Sequence, residues 1–157
     1  MPGSWAPHDL PNLTDANCIE TSKRSNAYNC IAWAAADTHR WWWPIRRPGV
    51  TYWPKNVPRE ETVEAFILAY GTLGFTLCGD GSLQSDIEKI ALFARVARGI
   101  LIPTHASRQL ESGEWTSKLG PFEDVAHSTL DAVNSPIYGQ AICFLARPRP
   151  SSSASPL

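Results

Sequence analysis

The chain has 157 residues, enough for one domain that buries roughly two-thirds of its unfolded surface without staples. Fourteen basic against fifteen acidic side chains leave a net charge of −1, so no global field draws nucleic acid or an anionic membrane, and partners must be sought in local chemistry. The four cysteines, at 18, 30, 78 and 143, form no C-x-x-C pair and do not lie at zinc-finger spacing from His8, His39, His105 and His127, which predicts free thiols in a reducing compartment.

Residues 1–22 are rich in Pro, Asn, Thr and Asp and read as an irregular arm, tacked onto the body by Trp5, Leu10 and Leu13. There is no basic start followed by an apolar run, and nothing approaches the ~20 apolar residues of a membrane span. A cytoplasmic protein is expected, and an effector exported by a dedicated secretion machine would look the same. A single domain is expected over 23–147. The "RPRPSSSASPL" end has nothing to bury and predicts disorder over 148–157.

In "SNAYNCIAWAAAD", residues 25–37, Asn29 or Ser25 is placed to cap an Ala-rich helix running to about His39, with Pro44 closing it. The prolines and glycine of "WWWPIRRPGVTYWP" forbid a long regular element, so five aromatic residues are presented from a loop. "PREETVEAFILAYGTLG" predicts a helix that starts near Pro58, shows a stripe of Val63, Phe66, Ile67 and Tyr70, and ends at Gly71 or Gly74. After this the period shifts towards two. "FTLC" reads as a short strand and "EKIALFAR" as a second strand or a helical turn, "GILIPTHASRQL" and "EWTSKLG" as a hairpin across "ESG", 121–134 as a mixed turn and helix segment, and "YGQAICFLARP" as a final buried strand. Helices first and a meander later predict α+β, with N-terminal helices packed on an antiparallel β-sheet.

Cys30 opens the first predicted helix, where unpaired N–H groups and the macrodipole favour a thiolate. The bland reading is a buried, inert thiol, the common state of free cysteine. His105 sits inside a predicted strand with Ser107 and Gln109 on its own face, and the return strand places Ser117 within reach of it. Nucleophile, base and orienting residue could then be Cys30, His105 and Ser117, with Asp124 or His127 replacing Ser117 if the following loop folds back. Convergence of Cys30, His105 and His127 on a metal is a further arrangement the residues allow.

Cysteine on an early helix, histidine on a strand and a polar residue on the neighbouring strand resembles papain-like cysteine hydrolases, most of all the NlpC-type branch. In that branch the third residue falls twelve positions after the histidine, which is Ser117 here. The segments "YNCIAWAAAD", "WWWP", "YWP", "EKIAL", "PTHASRQL" and "WTSKLG" are also similar to a family of small bacterial proteins, a likeness that brings no activity with it. The resemblance to papain-like enzymes implies acyl transfer on a peptide, amide or thioester bond, without a cofactor. Cys30 would attack, His105 would carry the proton, and the Cys30 N–H would serve the oxyanion hole. The sequence departs from the D-C-S-G pattern with Asn29, Cys30, Ile31 and Ala32, and has Ser in place of the usual third residue, His, Asn or Gln.

Tyr28, Trp33, Trp42, Trp43 and Trp53 are the candidate binding residues. The aromatic run with Arg40, Arg46 and Arg47 could form a platform for a sugar, a peptide side chain or an unstacked base. Three consecutive tryptophans cannot all face one way, so part of the run belongs to the core. "EKIALFARVARG" reads as a solvated face bearing Lys89, Arg95 and Arg98, and "CGDGS" as a turn rather than a phosphate loop. The alternative to an enzyme is a non-catalytic binding domain that uses the Trp-rich loop and the cleft beside the cysteine helix.

Overall fold

The computed structural model describes residues 9–119 and 122–150. In chain order the elements are β1 (Cys18–Ser22), α1 (Cys30–Ala34), β2 (Trp41–Trp42), β3 (Thr51–Tyr52), α2 (Val63–Gly71), β4 (Thr76–Cys78), β5 (Ile87–Ala97), β6 (Ile100–Gln109), β7 (Trp115–Lys118), β8 (Asp124–His127) and β9 (Gln140–Pro148), with a 3-10 turn at Leu130–Val133. Seven strands form one antiparallel sheet in the order β1-β8-β7-β6-β5-β9-β4, while β2 and β3 make a separate parallel pair.

The fold is therefore β-rich, and the expected α+β, papain-like architecture with a layer of N-terminal helices is overturned. The helix predicted to reach His39 spans five residues. It ends in a Schellman turn in which the Asp37 N–H donates to the Ala32 carbonyl and the Ala36 N–H to that of Trp33, with Ala36 at φ +61°. Glycine is the usual residue at that left-handed position, so an alanine there gave no stop signal. Asp37 then accepts from Trp42 Nε1 at 2.9 Å and Arg40 Nε at 2.8 Å, which turns the chain into β2. The second helix begins at Val63 rather than near Pro58, because Thr62 caps it by accepting from the Ala65 N–H at 3.2 Å.

β5 is buried on both faces, which explains its nearly continuous apolar run. Ile90 and Leu92 join α1, α2, Trp42, Trp53, Phe66 and Tyr70 in one cluster. Ala91 and Phe93 join Trp115, Val125, Val133, Leu10 and Leu13 in the other. Each large side chain buried this way contributes about 1.5–3 kcal/mol.

Besides the short β2 and β3 in the segment expected to be a loop, two strands of the large sheet lie where none was expected. β1 falls in the supposed irregular arm and β8 in the supposed turn and helix segment, and they pair from Cys18 opposite His127 to Ser22 opposite Asp124. Lys89, expected on a solvated face, is 1% exposed and donates from Nζ to the Asp80 carbonyl at 2.9 Å, pinning the "CGDGS" turn. The expectation for Trp5 and, from 151 on, that for a disordered tail lie outside the described residues, but the tail does not begin at 148: Pro148 closes β9 opposite Ile87 and the Arg149 N–H donates to the Asp86 carbonyl at 2.7 Å. Cys18, Cys30, Cys78 and Cys143 are free thiols, and no helix among the described residues is long and apolar enough to cross a membrane.

Candidate functional site

Asn29 fixes the start of α1. Its Oδ1 accepts from the N–H groups of Ala32 and Trp42, each at 3.1 Å, and its Nδ2 donates to the Trp42 carbonyl at 2.7 Å. Cys30 is thereby held as the first helical residue, 7% exposed, with its thiol 3.9 Å from the Thr104 carbonyl and also facing the Ala106 N–H. These are the peptide groups flanking His105. They are accessible to the thiol because the β6–β7 ladder covers only Arg108 and Gln109 against Thr116 and Trp115.

The expected thiolate is not present in this resting arrangement. Burial pushes the Cys30 thiol up to about 11, against the smaller opposing pull of the N–H groups of Ala106, Ile31 and Cys30 and of the Lys118 charge. One helical turn does not offset loss of water around sulfur.

His105 is fully buried on β6, and its Nε2 lies 3.0 Å from Ser117 Oγ. The same hydroxyl is 2.8 Å from His127 Nε2 and 2.7 Å from Ser107 Oγ. Hydrogen-bond accounting fixes the protons of this chain. His127 Nδ1 is 2.7 Å from the Thr129 carbonyl, which can only accept, so Nδ1 carries the proton and Nε2 of the neutral ring is an acceptor. Ser117 then donates its single proton to His127 and accepts from both Ser107 and His105 Nε2–H. His105 Nδ1 is consequently a bare lone pair, buried and without a partner among the described residues.

Both imidazoles are neutral, as this assignment requires. Burial, with the nearby His127 adding to it, pushes His105 down to about 3, and burial also lowers His127. The His105 ring is clamped between the edge of Phe93 at 5.2 Å and the face of Tyr138 at 4.1 Å. Tyr138 reaches it because the adjoining Gly139, at φ +69°, lies so close to the β5 backbone that a Cβ there would sit 2.0 Å from the Ala94 carbonyl oxygen. The Thr104 hydroxyl ties the same turn down by donating to the Tyr138 carbonyl.

Of the expected catalytic set, His105 and Ser117 meet, whereas Cys30 reaches only the backbone on either side of His105 and packs with Ala106 and Leu92, away from the Phe93 and Tyr138 side where the imidazole lies. Asp124 joins neither. Asp124 accepts from the Tyr28 hydroxyl at 2.7 Å and from the Ser22 hydroxyl, and it stands opposite Lys118 in the β7–β8 register. With its hydroxyl thus engaged, Tyr28 stacks obliquely on Trp33 and carries Lys118 Nζ 5.1 Å over its ring. Trp33 donates to Thr116 Oγ1 at 3.0 Å. Trp42 and Trp53 are core residues rather than platform, at 2% and 4% exposure. Trp43 packs edge-on against Phe66 and lines a surface cleft together with Trp41, its neighbour in the expected aromatic platform.

No group of three side chains suited to a metal occurs among the described residues. Both histidines of the suggested metal set spend Nε2 on Ser117 instead. Sequence reasoning missed Tyr138 and the bridging role of His127. The tyrosine carried no signal, whereas His127 in "EDVAHST" could have been placed by recognising a strand at 124–127.

The hydrogen-bonded row of His105, Ser117 and His127 can hand a proton along itself, and the thiol is not part of it. A neutral thiol faces the backbone on either side of a neutral imidazole, whose tautomer is set by a serine and a second histidine. No curated protein and no solved structure matches the chain. The family model that matches covers residues 19–146, and with them Cys30, His105, Ser117, His127 and Tyr138, so the chain belongs to the family described as domain of unknown function DUF7689.

Proposed function

We propose that the chain is a cysteine-dependent hydrolase or acyl transferase acting on a peptide, amide or thioester carbonyl, with Cys30 as nucleophile and His105 as base. The observation that carries this reading is the unpartnered Nδ1 lone pair of His105, held in one tautomer by Ser117 and His127 while the Cys30 thiol lies against the adjoining peptide groups. A buried acceptor left without a donor is costly, and a general base is one use that would keep it. The order of cysteine, histidine and polar residue along the chain supports the same reading, as in papain-like hydrolases.

Both groups start neutral, so proton transfer accompanies attack. Sulfur bonds to the carbonyl carbon as the carbonyl π electrons move onto oxygen, and the thiol proton goes to His105 once the imidazole has left the Phe93 and Tyr138 side of β6 to reach the sulfur. The N–H groups of Cys30 and Ile31 that face the sulfur are the nearest donors for that oxyanion. Collapse expels the amine or thiol with the proton returned by His105, and water or another acceptor then takes the acyl group from sulfur. No cofactor enters this sequence. Four free cysteines fit a reducing compartment, and we place the protein in the cytoplasm.

The test is acetylation by p-nitrophenyl acetate, with adducts mapped by peptide mass spectrometry. The wild type is expected to trap acetyl on Cys30, at a rate reduced about 10²–10⁴-fold in His105→Gln. Equal rates in the two proteins, or adducts confined to Cys18, Cys78 and Cys143, overturn the reading. Circular dichroism of His105→Gln separates lost chemistry from lost fold.

A further inference from the structure

The loop between β2 and β3 is held at its base by only two paired residues on each side. It forms a cleft of about 470 Å³ whose walls include Trp41, Trp43, Ile45 and Val50, with Arg47 among them. Trp43 is a fixed wall, since its edge contact with Phe66, centroids 5.3 Å apart, roots it in the core. A second cleft of about 530 Å³ shares Trp41, Val50 and Thr51 with it and adds His39, Arg40 and Tyr52. Trp41 is thus common to two adjoining clefts, each of which combines aromatic side chains with an arginine.

The charge here is one-sided. No acidic residue lines either cleft. Arg40 is paired with Asp37 at 2.8 Å and stacked 3.6 Å over Tyr52, which holds its position, whereas Arg47 has no carboxylate partner among the described residues. In a chain of net charge −1, a cationic aromatic cleft is a local arrangement and not a reflection of overall composition.

We infer that this cleft binds a small aromatic anion, its ring against Trp41 and Trp43 and its carboxylate or phosphate at Arg47. Flat rings fit indole walls, and guanidinium pairs with planar or tetrahedral anions through two parallel N–H donors. The site is independent of the thiol chemistry and stands whether or not Cys30 is a nucleophile.

The test is isothermal titration calorimetry of the full chain with indole-3-acetate, its neutral isostere indole-3-acetamide, and phenyl phosphate. The acetate is expected to bind about tenfold or more tightly than the amide, with phenyl phosphate showing which anion is preferred. Arg47→Gln should bring acetate and amide to within about twofold of each other, and Trp41→Ala should weaken both by about tenfold. Cys30→Ser should leave every affinity unchanged, which keeps this result separate from the acylation test. Equal binding of acetate and amide by the wild type, an unchanged ratio in Arg47→Gln, or no binding by either compound overturns the inference.

Discussion

Tyr138 lies flat on His105, with ring centroids 4.1 Å apart and planes 13° from parallel. The stack excludes water from one face of the imidazole and fixes the plane in which Nδ1 points. Tyr138→Phe keeps this surface and should leave stability and acylation close to wild type. Tyr138→Ala opens the face and should cost about 2 kcal/mol, less than the ~3–5 of a fully buried ring. His105 should then titrate higher, from about 3 back towards 6.5, because water reaches it. Histidine NMR shifts followed against pH check this, and an unmoved titration in Tyr138→Ala would deny the clamp.

Ser117 is the hinge of the proton arrangement, since one hydroxyl serves His105, Ser107 and His127. Ser117→Ala removes it and leaves three buried polar groups short of a partner. A loss of about 1–3 kcal/mol for each group left unsatisfied is expected, moderated by any water that enters. His105 also loses the reason to keep its proton on Nε2. Nitrogen shifts should report a mixture of tautomers in place of one form. Retention of pure Nε2–H in the variant would mean that something other than Ser117 sets it.

Much of this site was legible because it rests on strand alternation. Period two put His105, Ser107 and Gln109 on one face, and the "ESG" turn with Gly113 at φ +94° returned Ser117 beside His105. The ionisation state was not legible. Helix position favours a thiolate at Cys30, but desolvation is set by what covers the sulfur, and no local pattern encodes that. The same holds for α1. Its alanines continue a helical pattern, and only the left-handed Ala36 with the downstream Asp37 contacts stops it. Asp124 has the right chemistry to orient a histidine, yet the β1–β8 pairing brings Ser22 to it, a contact over a separation of 102 residues that spacing does not foretell.

Gly139→Ala tests the turn that delivers Tyr138. A Cβ at this position would meet the Ala94 carbonyl oxygen at 2.0 Å and its carbon at 2.7 Å, both backbone atoms of a central strand. The turn must lift, and φ +69° adds strain for any side chain. A loss of about 2–4 kcal/mol in urea unfolding is expected, together with the same upward shift of His105 as in Tyr138→Ala. Gly49→Ala is a fitting control, because it also has positive φ, +77°, but no atom within 4 Å of the added methyl.

Because burial raises the Cys30 thiol to about 11, it should be slow towards small electrophiles in the free protein. Cys78, half-buried near the sheet edge, should react first with limiting iodoacetamide near neutral pH. Leading modification of Cys30 would mean that the thiolate is populated after all. A mapped time course distinguishes the two outcomes. If the acylation reading holds, p-nitrophenyl acetate should reverse this preference, because a carbonyl can accept the nucleophile while His105 takes the proton.

Stability should be highest between about pH 6.5 and about pH 9, for reasons that lie on each side of that window. His105 is about 3 in the folded protein against an ordinary 6.5, so below 6.5 the unfolded chain binds a proton the native one refuses. Stability therefore falls as pH drops, by up to about 1.4 kcal/mol per pH unit for one such group. His127, also lowered by burial, adds in the same direction, while the depressed Asp37 carboxyl acts only near and below its ordinary 3.8. On the alkaline side the unfolded Cys30 ionises near 9 while the folded thiol holds its proton to about 11, so stability falls again as pH rises between them. Lys118, lowered by burial, opposes this near its ordinary 10.5, so wild type should be compared with Cys30→Ser to isolate the thiol. Urea unfolding from about pH 4 to about pH 10 supplies both limbs. His105→Gln should flatten the acid limb by about one proton, and an unchanged slope would show that His105 is protonated in the native state.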